Sequence, residues 1–170
     1  MSIISTLSVV LALGAALPPS DAIDTHGKAV KLSDLTATGP VYVYFVNRDC
    51  PHSWIANPFM DALATTYGKR LFVGVINTDA KNYADYAKRF PEKYRILLDP
   101  KLNLIHRYKV KSSPTVIKLN VDGKVTKVWE GISVTMYNEI SRDMAETSGM
   151  PPKALPTEGL PNYRQAGCSF

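Results

Sequence analysis

The stretch Pro40-Val-Tyr-Val-Tyr-Phe-Val-Asn47 leads through Arg48-Asp49 into Cys50-Pro51-His52-Ser53, and this junction decides the fold. Its first part is β-branched and aromatic throughout, which predicts a strand buried on both faces of a sheet. Apolar side chains then recur at helical spacing from residue 53 to 67, which predicts an amphipathic helix. Cys50 is therefore expected where a strand ends and a helix begins.

Strands and helices alternate along the rest of the chain. The pattern predicts a strand at 71–76, a helix from a cap at Thr78 or Asp79 to about Phe90, and a short apolar piece at 96–98 entering a turn. A hairpin with an Asp122-Gly123 turn and a last helix capped by Ser133 follow. This order predicts an α/β fold whose sheet is parallel at one end and antiparallel at the other.

Composition limits the function classes. The 170 residues are 45% hydrophobic, which suits one substantial core, and the net charge of +5 is spread along the chain. Because the basic residues form no patch, nucleic-acid binding is not expected. We expect a domain over 1–148 and a Pro-rich extended tail over 149–170. Nothing in the pattern indicates an oligomeric state.

An apolar run from Leu7 to Leu17 raises the question of export. Pro18-Pro19 ends it well short of the roughly 20 residues that a membrane helix needs, so no stable membrane span is expected. No Lys or Arg precedes the run, which favours a cytoplasmic protein that keeps this segment. Export, for instance to a periplasm, is the alternative.

The order of motifs resembles the thioredoxin-like superfamily, in its redoxin branch (AhpC/TSA and TlpA-like proteins). Pro58 lies eight positions after Cys50, as in the active-site helix of that family, and Pro114 holds the place of its cis proline. The segment 14–35 looks like the opening hairpin of redoxin-type members, and residues 79–90 lie where those members insert a helix. The match covers roughly residues 13–147. It implies a mixed central sheet flanked by helices.

The resemblance implies thiol–disulfide exchange at Cys50. Attack on a disulfide requires the thiolate, and the unpaired N–H groups at a helix start favour an anion there. Pro114 is expected to face this thiol, and protein or small-molecule thiols and disulfides are the expected partners. No cofactor is expected. Further side chains expected to tune the thiol or shape the substrate groove are Pro51, His52, Trp54, Ser113 and Thr115.

Ser53 stands where the family's dithiol motif has its second cysteine, so the site is a Cys-Pro-His-Ser variant. A serine cannot resolve a mixed disulfide. We therefore expect Cys50 to act as a monothiol through mixed disulfides. Cys168 in the tail is the alternative resolving partner, although its setting, Gly167-Cys168-Ser169-Phe170, suggests an exposed and mobile thiol.

Three other hypotheses compete with thiol–disulfide exchange. A binding module without redox turnover would use the groove beside Pro114 to hold an extended peptide. A peroxiredoxin-like peroxidase is the neighbouring enzyme, but that family's proline and threonine before the cysteine are Val43 and Asn47 here. A copper or zinc site from Cys50, His52 and His106 is chemically suitable. Related copper chaperones use two close cysteines, however, so no metal is expected.

Overall fold

The computed structural model describes residues 21–170, so the apolar run Leu7–Leu17 lies outside the described part. The strands are β1 Ala22–Asp24, β2 Ala29–Val30, β3 Val41–Val46, β4 Phe72–Ile76, β5 Arg95–Leu98, β6 Ser112–Ser113, β7 Thr115–Leu119, β8 Val125–Glu130 and β9 Cys168–Ser169. The helices are α1 Leu32–Thr36, α2 Pro51–Tyr67, α3 Ala80–Arg89, α4 Asn103–Arg107 and α5 Val134–Ser148. Within residues 21–170, no helix has the length and apolar content of a membrane span.

Seven strands form one mixed sheet in the order β2-β1-β5-β4-β3-β7-β8. The pairs β3–β4 and β4–β5 are parallel, and β3–β7 and β7–β8 are antiparallel. The predicted mixed α/β sheet is confirmed. It is antiparallel at both edges rather than at one, because the hairpin β1–β2 joins the sheet beside β5.

Residues 96–98, read from sequence as a piece entering a turn, belong instead to β5 within the sheet. A run of only three apolar residues has too little periodicity to identify a strand. The hydrogen bonds to β4 and β1 on its two sides make it one.

The sheet carries helices on both faces, and β3 shows why. All six of its residues are buried, and their side chains alternate between two apolar clusters. Tyr42 and Tyr44 belong to the cluster that includes residues of α2 and α5, whereas Val43 and Phe45 belong to the one that includes residues of α1 and α4. The prediction of a strand buried on both faces is confirmed.

Local hydrogen bonds fix the predicted helix starts. Asp79 accepts from the backbone N–H of Asn82 at 2.8 Å, and α3 occupies the place of the inserted helix. Ser133 accepts from the N–H of Met136 at 3.1 Å and begins α5. Side chains of this type satisfy N–H groups that have no partner within the helix, so both predicted caps are confirmed.

The tail after α5 runs back across the domain. Leu160 is buried, and the N–H of Val134 donates to the carbonyl oxygen of Pro161 at 2.9 Å. Gln165 and Ile132 exchange two backbone hydrogen bonds of 3.0 and 3.1 Å. The last strand, β9, pairs antiparallel with β6. The tail packs against the domain along this path.

Candidate active site

Cys50 lies where β3 gives way to α2. A short turn, residues 47–49, brings the chain out of the strand, and Cys50 then occupies the N-cap position of α2. Its carbonyl oxygen accepts from the N–H groups of Ser53 and Trp54 at 3.0 and 3.2 Å, and Pro51 is the first helical residue. The cysteine thus lies at the positive end of a helix of 17 residues, which favours a thiolate.

The turn at Ser113–Pro114 meets the sulfur from the other side of the site. The Ser113–Pro114 peptide bond is cis, as expected, and the Cys50 Sγ lies 3.3 Å from the carbonyl oxygen of Ser113. Thr115 closes this turn by donating from its hydroxyl to the carbonyl oxygen of Ser112 at 2.7 Å. Of the expected groove residues, Ser113 therefore faces the sulfur directly, whereas Thr115 supports the turn that carries it.

Cys168 is joined to Cys50 by a disulfide that spans 118 residues of sequence, with 5.8 Å between the two Cα atoms. The pairing of β6 with β9 places Cys168 directly opposite Ser113. The structure therefore differs from the expected exposed thiol, because Cys168 is bonded to Cys50 and only partly exposed. The composition of the tail indicated only how far the tail could extend. The edge of β6, which holds Cys168 in place, exists only in the folded chain.

Ser53 is fully buried and is bonded to Ser113. The two hydroxyl oxygens lie 2.5 Å apart. The Ser113 hydroxyl also donates to the carbonyl oxygen of Phe45 at 3.2 Å and accepts from the N–H of Asn47 at 2.6 Å. Since Ser113 has only one hydroxyl proton, Ser53 is the donor between them. Ser53 thereby ties the first turn of α2 to β6.

His52 adds an imidazole to the two sulfurs. The possible ligand atoms of Cys50, His52 and Cys168 lie within 4.8 Å of one another. The His52 Nδ1 is buried and has no hydrogen-bond partner among residues 21–170. Two thiolates and an imidazole suit Cu(I) or Zn²⁺, and only the reduced pair offers them. His106, considered from sequence, is not part of this group.

Trp54 forms one wall of a cleft of about 210 Å³ that is also lined by Asp49, the residue before Cys50. Its Nε1 donates to the carbonyl oxygen of Arg48 at 2.8 Å, and its ring stacks on Phe90 with the centroids 5.6 Å apart. The guanidinium of Arg89 lies 5.2 Å from the Trp54 ring centroid. Arg48 itself forms an ion pair with Asp49 at 3.1 Å, so its charge is already matched.

Tyrosines lie behind α2 and connect it to α3. The Tyr44 hydroxyl shares its one proton between the carbonyl oxygen of Ser53 and Asn57 Oδ1, at 3.2 and 3.1 Å. The Asn57 amide donates to the Tyr86 hydroxyl at 2.6 Å. Burial raises the pKa of Tyr44 and of Tyr86 well above the ordinary value of 10.0. Burial also raises the pKa of Glu92, which accepts from Tyr83, to about 7. The tyrosines remain neutral and hold the helix start in place.

Two site residues escaped the sequence reasoning. The Asn47 amide donates from Nδ2 to the carbonyl oxygen of Ser169 at 2.8 Å and so holds the chain end. Gly167 packs so closely that a Cβ added there would overlap the carbonyl oxygen of Ser113. Asn47 read only as a turn residue, and no local pattern marks a tail glycine as a packing contact.

The comparisons with known proteins agree with this geometry. The Redoxin family model matches residues 12–142. The thiol-disulfide oxidoreductase ResA of Halalkalibacterium halodurans is 30% identical over 112 residues, covering 64% of this chain and 62% of that protein. The chain thus spans less than two thirds of that relative's length.

Among solved structures, a protein of Chlorobium tepidum assigned as the thiol:disulfide interchange protein DsbE matches with a TM-score of 0.66 and 23% identity, over 79% of this chain and 100% of that chain. The exposed lipoprotein thioredoxin Etrx1 of Streptococcus pneumoniae matches with a TM-score of 0.62 and 23% identity, over 74% and 96%. At this level of identity the likeness concerns the fold, and the predicted thioredoxin-like architecture is confirmed.

Proposed function

Because the chain belongs to the Redoxin family, we propose that it is a thiol–disulfide oxidoreductase in which Cys50 and Cys168 form the exchanging pair. One observation carries the proposal: the disulfide joins a sulfur at the start of α2 to a sulfur on the terminal strand. Cys168 thus takes the part that Ser53 cannot, and the pair replaces the monothiol cycle expected from sequence. Thiols and disulfides of proteins or small molecules are the partners.

The reaction proceeds by two exchanges. The Cys50 thiolate attacks a substrate disulfide, a bond forms between Cys50 and one substrate sulfur, and the other substrate sulfur leaves as a thiolate. The Cys168 thiolate then attacks the Cys50 sulfur and releases the second substrate thiolate. The substrate gains two electrons, and the protein is left with the Cys50–Cys168 disulfide. An external dithiol must return it to the reduced form.

Exposure indicates which sulfur that reductant attacks. Cys50 is 1% exposed, whereas Cys168 is partly exposed. An incoming thiolate therefore reaches Cys168 first, and the Cys50 sulfur leaves as a thiolate at the helix N-terminus. A leaving thiolate that its surroundings stabilise departs faster. The partly exposed tail cysteine accepts the reductant, and the buried helix cysteine reacts with the substrate once the tail has moved.

Stoichiometry with one equivalent of an aromatic disulfide tests the pair. The reduced wild-type protein should release two aromatic thiolates per chain and end as an internal disulfide without an adduct in its intact mass. Cys168→Ser should release one and retain one adduct, and Cys50→Ser should not form the internal bond. Wild-type protein that keeps a stable adduct on Cys50 would contradict the proposal.

We also propose an extracytoplasmic location, in place of the cytoplasmic one expected from sequence. The pneumococcal neighbour is an exposed lipoprotein. The intact mass of the protein isolated from its native cells tests this, because export by a cleaved signal removes an N-terminal segment.

A further inference from the structure

The edge of β6 is filled by the chain's own end. Ser112 pairs with Ser169, Ser113 pairs with Cys168, and the N–H of Phe170 donates to the carbonyl oxygen of Lys111 at 3.4 Å. This edge precedes Pro114 and faces Cys50. Backbone pairing of this kind is how an extended peptide adds to an open strand.

Contact at this edge is so close that it restricts what can bind. A Cβ at Gly167 would overlap the carbonyl oxygen of Ser113 and also approach the nitrogen of Pro114. Gly167 is not among the residues with positive φ, so glycine is required there for space and not for backbone conformation. Any chain seated in the same register must therefore lack a side chain immediately before its cysteine.

The tail divides into an anchored part, which is held to the domain as far as Gln165, and an end, residues 167–170. Leu160 is 8% exposed, and Gln165 is paired with Ile132 in both directions. Gly131 lies against this anchor so closely that a Cβ there would overlap the carbonyl oxygen of Gln165. Beyond the anchor, Ala166 is exposed. Residues 167–170 can therefore leave β6 while the rest of the tail stays attached.

With the end in place, Cys50 is almost completely covered, so a substrate sulfur reaches it only where Cys168 now lies. We infer that residues 167–170 are a tethered competitor for the substrate edge. The substrate is then an extended polypeptide with glycine directly before its reactive cysteine. This inference rests on the proposed function. Since a short tether supplies its end at millimolar effective concentration, dilute substrates compete against it.

The second residue after the substrate's cysteine also has a preferred type of side chain. Phe170 packs against the apolar cluster that includes Phe45 and Ile105. A substrate in the same register would place its second residue after cysteine on this surface, so an apolar side chain is favoured there. The segment that fits is Gly-Cys-x-Phe or a close relative, which is the sequence of the tail itself.

Two peptides test the specificity. The full-length Cys168→Ser protein, reduced, is mixed with Gln-Ala-Gly-Cys-Ser-Phe or Gln-Ala-Ala-Cys-Ser-Phe, each carried as an aromatic disulfide. Release of the aromatic thiolate and the mass of the Cys50–peptide adduct give the rate. We expect the glycine peptide to react at least about tenfold faster, corresponding to roughly 1.4 kcal/mol. Equal rates would overturn the inference and leave the proposed function standing.

A second variant tests the competitor. Adding Gly167→Ala to Cys168→Ser should displace the end and speed the reaction of Cys50 with a small aromatic disulfide by about tenfold, since access to a covered group follows the open population. Adding Asn162→Ala instead is the control, because that residue of the tail is exposed and lies outside the segment 167–170. An unchanged rate with Gly167→Ala would overturn the inference. A Cys50 that reacts with neither peptide nor small disulfide would instead overturn the proposed function.

Discussion

The two sulfurs of one disulfide belong to two different kinds of structure. Cys50 is held by the central strand β3, by the first turn of α2 and by hydrogen bonds around Ser113. Cys168 is held by a terminal strand of two residues and by a tail with few buried side chains. The comparison indicates that the scaffold sets the position of the nucleophile, whereas the tail sets when a partner reaches it.

A lesion in the scaffold should have the largest effect and should disturb both sulfurs. Asp143 on α5 is 3% exposed and accepts hydrogen bonds from Tyr42 on β3, Lys118 on β7 and Lys127 on β8. Asp143→Ala leaves Lys118, whose side chain is 19% exposed, without this partner. We expect a loss of about 3 kcal/mol in the free energy of unfolding. Urea unfolding measures it, with exposed Glu139→Ala on the same helix as control.

The pH dependence of the unfolding free energy is a second test of Asp143→Ala. Burial alone would raise the pKa of Asp143, but hydrogen bonds from Lys118, Lys127 and Tyr42 outweigh it and hold the pKa below the ordinary 3.8. A carboxyl with a lowered folded pKa contributes stability that is complete above its unfolded pKa. This contribution is lost as the pH falls through the folded pKa. The acid limb of the stability curve should therefore be flatter in Asp143→Ala, and an unchanged limb would contradict this assignment.

A lesion in the anchored part of the tail should be smaller and local. Leu160→Ala removes a buried side chain at a cost of about 2 kcal/mol. In the reduced protein this should speed amide exchange at Ile132 and Gln165 by about 30-fold, at 1.4 kcal/mol per factor of ten. Amides of β3 should keep their protection. Tyr163→Ala, 72% exposed, is the control, and equal acceleration in β3 would place Leu160 in the global core.

The same division explains how much could be predicted from sequence. The position of Cys50 follows from local pattern, since residues 40–67 carry the strand, the polar turn, the proline and the helix within one continuous stretch. The identity of its disulfide partner, Cys168, does not follow from any local pattern. Gly167 and Asn47 act through contacts with residues far away in the chain, and no spacing rule connects positions 113 and 168. Ser53 likewise looked like a lost cysteine, although its hydroxyl is used to fasten α2 to β6.

Asn47 joins the two regions, so its loss should give the smallest effect and the most selective one. Its amide donates to the carbonyl oxygen of Ser169, and its Oδ1 accepts from the N–H of Asp49 at 3.1 Å. Asn47→Ala removes one exposed hydrogen bond to the end of the tail, worth about 1 kcal/mol, and water replaces Oδ1 as the acceptor of the exposed Asp49 N–H. The Cys50–Cys168 disulfide should then form about fivefold less favourably against a glutathione buffer, as separation of the oxidised and reduced forms measures.

The distinction between scaffold and tail depends on whether Asn47→Ala affects only the end of the tail, which carries Cys168. In the Cys168→Ser background, Asn47→Ala should raise the rate at which Cys50 reacts with a small disulfide, because it releases the end of the tail that covers Cys50. The urea midpoint should stay unchanged, and Asn162→Ala, an exposed asparagine of the tail, should change neither quantity. A lowered midpoint would mean that Asn47 supports the turn before Cys50 more than it holds the end of the chain. The distinction between scaffold and tail would then fail at the residue where the two meet.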